Sequence, residues 1–159
     1  MNYSEKTCVK KPKLSDLSEV FKISCECNLG SWSEKDYRDE LQRIGSVILV
    51  AELQTNKAIV GFILARLSGL LEAGELDIIN IGILEAFRRQ GIGEILLKKT
   101  LNYASEKNVD SIWLEVRESN SAAIKFYKKH GFIEIQIRKG FYTNPTDNAL
   151  VMKLNRSNV

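Results

Sequence analysis

The chain has 159 residues, 44% hydrophobic and 27% charged, which is typical of a soluble globular protein with a single core. The net charge of +3 is too mild to indicate a protein that binds nucleic acid directly, and no apolar run approaches the roughly 20 residues that span a bilayer. Residues 1–6 lack the apolar core of a secretory signal, so we expect a cytoplasmic protein, a monomer or weak dimer without membrane contact.

The first third of the chain predicts one strand and two helices. Residues 6–11 are expected to form a short strand. A helix is predicted from apolar residues at helical spacing, namely Leu14, Leu17, Val20, Phe21 and Ile23. Ser15 or Asp16 lies near enough to its start to cap it. The string Ser33–Asp36 is similar to a capping box, with Asp in place of the usual Glu, so a second helix should run to Gly45.

The rest of the chain predicts a hairpin followed by alternating strands and helices. Val47–Leu53 and Ala58–Leu67 should pair around a turn at 54–57, and a loop should follow at 69–74. Later strands are expected at 76–84, 111–116, 133–139 and 148–154. Later helices are expected at 91–107 and 119–130. The predicted fold class is therefore α/β, a mixed sheet of about seven mostly antiparallel strands with four helices on both faces.

A glycine-bearing turn, Arg88-Arg89-Gln90-Gly91-Ile92-Gly93, follows the apolar run Ile78–Leu84 and opens the next helix. Backbone amides and the positive end of a helix dipole at such a turn bind phosphate or pyrophosphate. A P-loop would continue with Lys and Ser or Thr, but this chain continues with Glu94. A dinucleotide fingerprint would need a third glycine and an earlier place in the chain. The ligand is therefore expected to be another phosphorylated cofactor.

Thiol and imidazole chemistry is not expected here. Cys8, Cys25 and Cys27 could reach four zinc ligands only with the distant His130, so we interpret them as free, buried or partly buried thiols and expect no metal. His130 precedes Gly131-Phe132, where a helix is expected to end, so it is interpreted as a capping residue. No Ser-His-Asp or Cys-His arrangement is expected.

In its Arg/Gln-x-x-Gly-x-Gly/Ala form, the glycine turn resembles the pyrophosphate loop of the GNAT N-acetyltransferases. Further matching strings are Leu114-Glu115-Val116-Arg117 and Ala122–Phe132, in the expected order. Within that family the chain is similar to the enzymes that acetylate the N-terminal alanine of a ribosomal protein. This closer similarity is carried by Trp32-Ser33-Glu34, Trp113–Arg117, Ser119–Ala123 and Arg138–Tyr142. That group often has two tyrosines where this chain has Phe141-Tyr142, a difference that bears on the choice of acceptor.

The resemblance implies a single GNAT acetyltransferase domain over residues 1–159. It also implies acetyl-CoA as cosubstrate, with direct transfer to a protein N-terminus in a ternary complex and no covalent enzyme intermediate. Glu115 would be the general base, directly or through water, and Tyr127 the general acid. From the residues alone, Glu115 could equally be an exposed strand-end charge or a salt-bridge partner of Arg117, and Tyr127 a core residue beside Phe126.

The resemblance also implies binding roles for other residues. The backbone of Ile81, Gly82 and Ile83 would hold the pantetheine arm, where a glycine indicates either close approach of a ligand or an adjustment of strand twist. The pyrophosphate would contact Arg89, Gln90, Gly91, Ile92, Gly93 and Glu94. Asn120, aligned with Tyr127 on a helix, would hydrogen-bond the cofactor, and Arg88 would be a solvated charge. Candidates for contacting the acceptor are Trp32, Glu34 and Tyr142, although Trp32 could equally be a hydrophobic staple.

Other functions stay open from the sequence. On the same scaffold, the acceptor could be another protein N-terminus, a lysine or a small amine. A different class would be a non-catalytic acyl-CoA-binding sensor or partner subunit, against which the presence of both Glu115 and Tyr127 argues. A nucleotide-binding module is disfavoured because the glycine pattern fits neither nucleotide motif.

Overall fold

A computed structural model describes residues 6–69 and 74–155. Within them, the strands β1 to β7 span Thr7–Lys10, Ser46–Leu53, Ile59–Ser68, Glu75–Ile83, Ser111–Arg117, Ile133–Thr143 and Thr146–Asn155. The helices α1 to α4 span Leu17–Glu26, Glu34–Gln42, Ile92–Glu106 and Ser121–Lys129. The predicted succession of strands and helices is therefore confirmed, with element ends that differ by a few residues.

The strands form one mixed sheet in the order β1-β2-β3-β4-β5-β7-β6. β4 runs parallel to β5, pairing Glu75–Ile78 with Ser111–Leu114, whereas the β1–β2, β2–β3, β5–β7 and β6–β7 pairs are antiparallel. This confirms the mixed, mostly antiparallel sheet and the central position of β4. The chain divides into two compact units: unit 1 extends to Arg66 and includes Ile79–Tyr103, and unit 2 comprises Leu67–Ile78 and the residues from Ala104 onward.

The start of α2 forms as its sequence predicts. The Asp36 amide donates to Ser33 Oγ at 3.2 Å, and the Ser33 amide donates to Asp36 Oδ2 at 2.6 Å, which completes the capping box. Trp32, just before the cap, packs on Tyr37 with ring centroids 5.2 Å apart, the contact of a hydrophobic staple. The helix ends at Gln42 and so is shorter than predicted.

The start of α1 differs from the prediction. A 3₁₀ turn at Leu14–Asp16 precedes the helix, and Asp16 stands at the N-cap without a side-chain bond to an α1 amide. Its carboxylate accepts from the amide of Lys13 instead, at 2.8 Å. The prediction that Asp16 caps α1 through its side chain was therefore wrong. The extra turn directs the carboxylate back toward Lys13.

The core of unit 1 fixes β4 against both helices that precede the hairpin. Tyr37 of α2 is fully buried, and its hydroxyl donates to Ser24 Oγ of α1 at 2.7 Å. The same hydroxyl accepts from Asn80 Nδ2 of β4 at 3.3 Å. Burial raises the pKa of Tyr37, so the phenol stays neutral and can serve both bonds. The strand is thus anchored one residue before Ile81.

A buried carboxylate ties α2 to the hairpin in unit 1. Arg66 of β3 donates to both oxygens of Glu40, at 2.7 and 2.9 Å, and Ser46 of β2 donates to Glu40 Oε2 at 2.8 Å. Burial acts to raise the pKa of Glu40, but these hydrogen bonds outweigh it and hold the pKa below its usual range. Glu40 is therefore a fully bonded anion in a nearly closed environment.

Unit 2 contains α4 and the strands β5, β7 and β6. His130 follows α4 at the C-cap, and its Nδ1 lies 2.8 Å from the carbonyl oxygen of Phe126, which confirms the predicted capping role. The Tyr127 ring meets Phe126 and Phe132 edge-on at centroid distances of 5.3 and 5.5 Å. The register also shows that the last strand, β7, lies between β5 and β6.

The thiols differ from the prediction in part. Cys8 and Cys25 are exposed, so their predicted burial was wrong, whereas Cys27 is partly buried, and all three are free. Cys8 lies on the edge strand β1, and Cys25 lies on the outer side of the last turn of α1. Within residues 6–69 and 74–155, His, Cys, Asp and Glu side chains form no group that could hold a metal ion. None of the described helices combines the length and apolar character needed to cross a bilayer.

Candidate active site

The glycine turn of unit 1 presents a run of open backbone amides. Arg89 and Gly91 adopt left-handed conformations, with φ of +57° and +83°. The first hydrogen bond of α3 runs from the Ile95 amide to the Gly91 carbonyl at 3.1 Å. In the described part of the chain, the amides from Arg89 to Gly93 have no hydrogen-bond acceptor. Left-handed residues that alternate with right-handed ones curve the backbone around an anion. The left-handed conformation of Arg89 costs about 1–3 kcal/mol of backbone strain.

Arg88 is exposed, as expected of a solvated charge, but its guanidinium also makes specific contacts. Its Nε donates to the carbonyl of Ile83 at 2.9 Å, and the Cys27 thiol approaches the same carbonyl at 3.4 Å. The guanidinium also lies 3.7 Å from Cys27 Sγ. The end of β4 is therefore held by two side chains far apart in sequence. Sequence reasoning missed this contact because no local pattern connects these positions.

Gly82 is needed for the packing of unit 1. A Cβ at this position would lie 2.9 Å from Leu29 Cδ1, 3.1 Å from Phe62 Cε1 and 3.2 Å from Ile23 Cγ2. Distances this short would force core side chains or backbone to move. The glycine is thus explained by close internal packing, a reason different from the two that the sequence suggested. Its backbone role toward a cofactor stays a prediction.

Two further side chains, one in the turn and one at the start of α3, make local contacts. Gln90 Nε2 donates to the Ala86 carbonyl at 2.8 Å, while Gln90 Oε1 is the one buried polar side-chain atom without a partner among the described residues. A buried acceptor without a donor is costly, so Oε1 is suited to a ligand N–H or O–H. Glu94 pairs with Lys98 at 2.9 Å on the outer side of α3.

In unit 2, one carboxylate oxygen of Glu115 is engaged in an ion pair, and the other is available to a ligand. Oε1 forms an ion pair with Arg138 of β6, a partner that the sequence did not suggest. Oε2 has no hydrogen bond with the described residues, and the side chain is 32% exposed. A carboxylate oriented at one oxygen and accessible at the other can accept a proton from a ligand or from water.

The proposed salt bridge between Glu115 and Arg117 is not formed. The Arg117 guanidinium donates to the carbonyls of Asn144 and Pro145, at 3.1 and 2.9 Å, and lies 4.2 Å from the ring centroid of Tyr142. Burial raises the pKa of Tyr142, as does the nearby Glu115 charge, so this phenol is neutral near pH 7. Arg117 therefore shapes the β6–β7 loop around Tyr142.

Tyr127 combines a buried ring with an available hydroxyl. The side chain is 5% exposed, and burial raises its pKa well above the ordinary value, with a smaller contribution from Tyr142. Among the described residues the hydroxyl has no hydrogen-bond partner, so it is available to a ligand. A phenol that stays protonated at neutral pH still carries the proton that a general acid must donate.

Asn120 lies before α4, at its N-cap, and not on the helix as predicted. Its Oδ1 accepts from the Ala123 amide at 3.1 Å, because Asn at this position satisfies an otherwise open helical amide. The predicted seven-residue alignment with Tyr127 on one helix is therefore wrong. The amide nitrogen Nδ2 is left over to donate to a ligand.

The candidate acceptor residues of unit 1 already have partners. Trp32 carries the Arg66 guanidinium 5.3 Å from its ring centroid, in addition to its packing on Tyr37. Glu34 pairs with Arg38 at 3.1 Å, with both side chains about half exposed. The staple interpretation of Trp32 is thus confirmed, and an acceptor role for Trp32, Glu34 and Tyr142 stays a prediction.

The mixed sheet, the pyrophosphate-type turn before α3 and the comparisons with known proteins define an N-acetyltransferase that uses acetyl-CoA. The chain belongs to the Acetyltransferase (GNAT) family, whose model matches residues 17–132. A [ribosomal protein bS18]-alanine N-acetyltransferase from Haemophilus influenzae is 36% identical over 140 residues, covering 86% of this chain and 90% of that protein. An N-alpha-acetyltransferase from Sulfurisphaera tokodaii is 30% identical over 152 residues, covering 90% of each.

Solved structures agree with this assignment. The crystal structure of the ribosomal-protein-S18-alanine N-acetyltransferase from Escherichia coli superposes with a TM-score of 0.81 at 28% identity. The match covers 94% of this chain and 93% of that one. The predicted family, fold class and cosubstrate are therefore confirmed.

Proposed function

We propose that this enzyme acetylates the N-terminal alanine of ribosomal protein bS18 in the cytoplasm. One observation carries the acceptor assignment: the Haemophilus relative, named for this acceptor, is similar along most of the chain. The family model spans residues of both compact units, which supports a single acetyltransferase domain over residues 1–159. A single chain contains all the residues to which we assign a role, so the reaction needs no oligomer.

In this proposal, residues of unit 1 bind the pyrophosphate and the pantetheine arm of acetyl-CoA. The open amides from Arg89 to Gly93, together with Glu94, bind the pyrophosphate, and the backbone of Ile81–Ile83 binds the pantetheine arm. Arg88 fixes the Ile83 carbonyl and so defines the end of that strand. The positive end of the α3 dipole adds to the attraction for the two phosphates. Asn120 Nδ2 of unit 2 donates a further hydrogen bond to the cofactor.

Unit 2 supplies the acid and the base. Glu115 Oε2 takes the proton that leaves the acceptor's α-amino group, directly or through one water. The amine nitrogen bonds to the thioester carbon, the carbon–sulfur bond breaks, and Tyr127 gives its proton to the departing sulfur. Transfer is direct, with no covalent enzyme intermediate. Trp32, Glu34 and Tyr142 contact the acceptor peptide.

A second candidate acceptor is a broader set of protein N-termini. The archaeal relative, named only as an N-alpha-acetyltransferase, favours it. The two candidate acceptor specificities are distinguished with a panel of short peptides that differ in their first residues. Each peptide is incubated with labelled acetyl-CoA, and the products are identified by mass spectrometry. We expect acetylation of the bS18 N-terminal sequence beginning with alanine. Comparable rates for unrelated N-termini would replace this assignment with the broader one.

The assigned chemistry predicts the effect of two conservative changes. Glu115→Gln and Tyr127→Phe should each lower turnover by about 10²-fold or more, because each removes one proton transfer from the reaction. Acetyl-CoA affinity, measured by calorimetry, should stay nearly constant. Glu134→Gln, which removes an exposed carboxylate paired with Lys128 in the same unit, is the matched control and should leave turnover unchanged. Full turnover in both test variants would remove these residues from the mechanism.

A further inference from the structure

We propose that Arg138 is a positioning residue for catalysis, which acts by orienting the Glu115 carboxylate. This inference rests on the proposed role of Glu115 as the base. The ion pair between the two side chains is the only described contact of Glu115 Oε1. Arg117, nearer in sequence, is bonded to loop carbonyls and does not reach Glu115 through an ion pair.

The backbone of β6 places Arg138 at a defined point. Arg138 forms the last regular pair with β7, opposite Ala149, before the register shifts as far as Tyr142. Gly140 within this bulge has φ of +60°, and its amide donates to Asn148 Oδ1 at 2.9 Å. The bulge is therefore fixed by a side chain of β7, and it determines where the residues on either side point.

The guanidinium is also confined by an aromatic ring. It lies 4.5 Å from the ring centroid of Phe141, which is part of the same bulge. Arg138 thus lies over an aromatic ring and also donates an N–H to the Glu115 carboxylate. An arginine restrained in two directions orders its partner more firmly than a freely rotating surface cation does.

The two carboxylate oxygens of Glu115 therefore have different roles. Oε1 is engaged by the cation, so Oε2 is the oxygen available to the acceptor amine or to a bridging water. Without Arg138 the carboxylate would rotate, and productive orientations would become less frequent. Loss of the guanidinium should therefore slow the chemical step while leaving the binding of acetyl-CoA unchanged.

The test compares Arg138→Gln with Lys139→Gln, a neighbouring change of equal charge at a side chain without a described ion pair. We expect Arg138→Gln to lower kcat by about 10-fold with little change in the KM for acetyl-CoA. Lys139→Gln should be close to wild type. Arg138→Lys, which keeps the charge but not the planar fork, should recover only part of the loss.

A double-variant cycle then separates this inference from the proposed function. If Arg138 acts through Glu115, Arg138→Gln should cause no further loss of kcat in a Glu115→Gln background. An equal 10-fold loss in both backgrounds would overturn the positioning role, as would wild-type kcat in Arg138→Gln alone. Wild-type kcat in Glu115→Gln would instead overturn the proposed base. Melting temperatures of all variants identify any loss that is due to unfolding.

Discussion

At the scale of single residues, Tyr127 illustrates how burial prepares a side chain for one protonation state. Its ring packs among Phe126 and Phe132, and the low polarity of that environment disfavours the phenolate. The hydroxyl has no hydrogen-bond partner among the described residues, so its proton is available to a ligand. Burial of the ring and an unpartnered hydroxyl are both needed for the proposed role, and only the folded chain shows that they coincide.

The raised pKa of Tyr127 predicts the shape of the pH–rate profile. Because the folded pKa lies above the ordinary value of 10.0, the phenol stays protonated through neutral and mildly alkaline pH. We expect kcat/KM to rise as the acceptor's α-amino group loses its proton, near pH 8, and to stay high up to about pH 10. The measurement is a profile for wild type beside Tyr127→Phe. A decline above pH 8 that disappears in Tyr127→Phe would contradict this.

At the scale of elements, patterns of neighbouring residues predicted the helices and the hairpin well. The pairing of strands that are distant in sequence could not be predicted from such patterns. The capping box at Ser33 and Asp36, the β2–β3 hairpin and the helix after the glycine turn all follow from residues close in sequence. The insertion of β7 between β5 and β6 has no local signature. The same limit explains the missed partner of Glu115, since Arg138 reaches it from β6 with β7 lying between their strands.

The buried carboxylate that joins α2 to the hairpin predicts a large effect on stability. Glu40→Gln should lower the free energy of unfolding by about 2–3 kcal/mol, because Arg66 would lose its partner in a mostly closed environment. The control is Asp39→Asn on the same helix, whose ion pair with Lys35 is mostly exposed and should contribute less than about 1 kcal/mol. Urea denaturation measures both. Equal losses of unfolding free energy in the two variants would show that the buried ion pair stabilises the fold no more than the exposed one.

The pH dependence of that pair follows from the sign of the shift. The pKa of Glu40 is lowered on folding, so its contribution is complete above the usual carboxyl pKa and is lost as pH falls through the lower, folded value. The difference in stability between wild type and Glu40→Gln should therefore be constant near neutral pH and shrink in acid.

At the scale of the whole molecule, the residues of the proposed mechanism are distributed over two compact parts of one chain. Unit 1 holds the glycine turn and its open amides, and unit 2 holds Glu115, Arg138 and Tyr127. Neither part alone contains all the groups to which the proposed mechanism assigns a role. A ligand that binds the folded chain stabilises it by mass action, so binding can be followed as a change in melting temperature without any assumption about chemistry.

Acetyl-CoA should therefore raise the melting temperature, and ATP or NAD should not. At about 100 times its dissociation constant, a ligand adds about 2.7 kcal/mol, equivalent to roughly 5–10 °C for a chain of this size. Gly91→Asp should reduce this shift, because a negative charge would stand beside the pyrophosphate. Gly91→Asn imposes the same left-handed strain at φ +83° without the charge, and so isolates the electrostatic effect. Equal shifts in the Asp and Asn variants would place the diphosphate away from this turn.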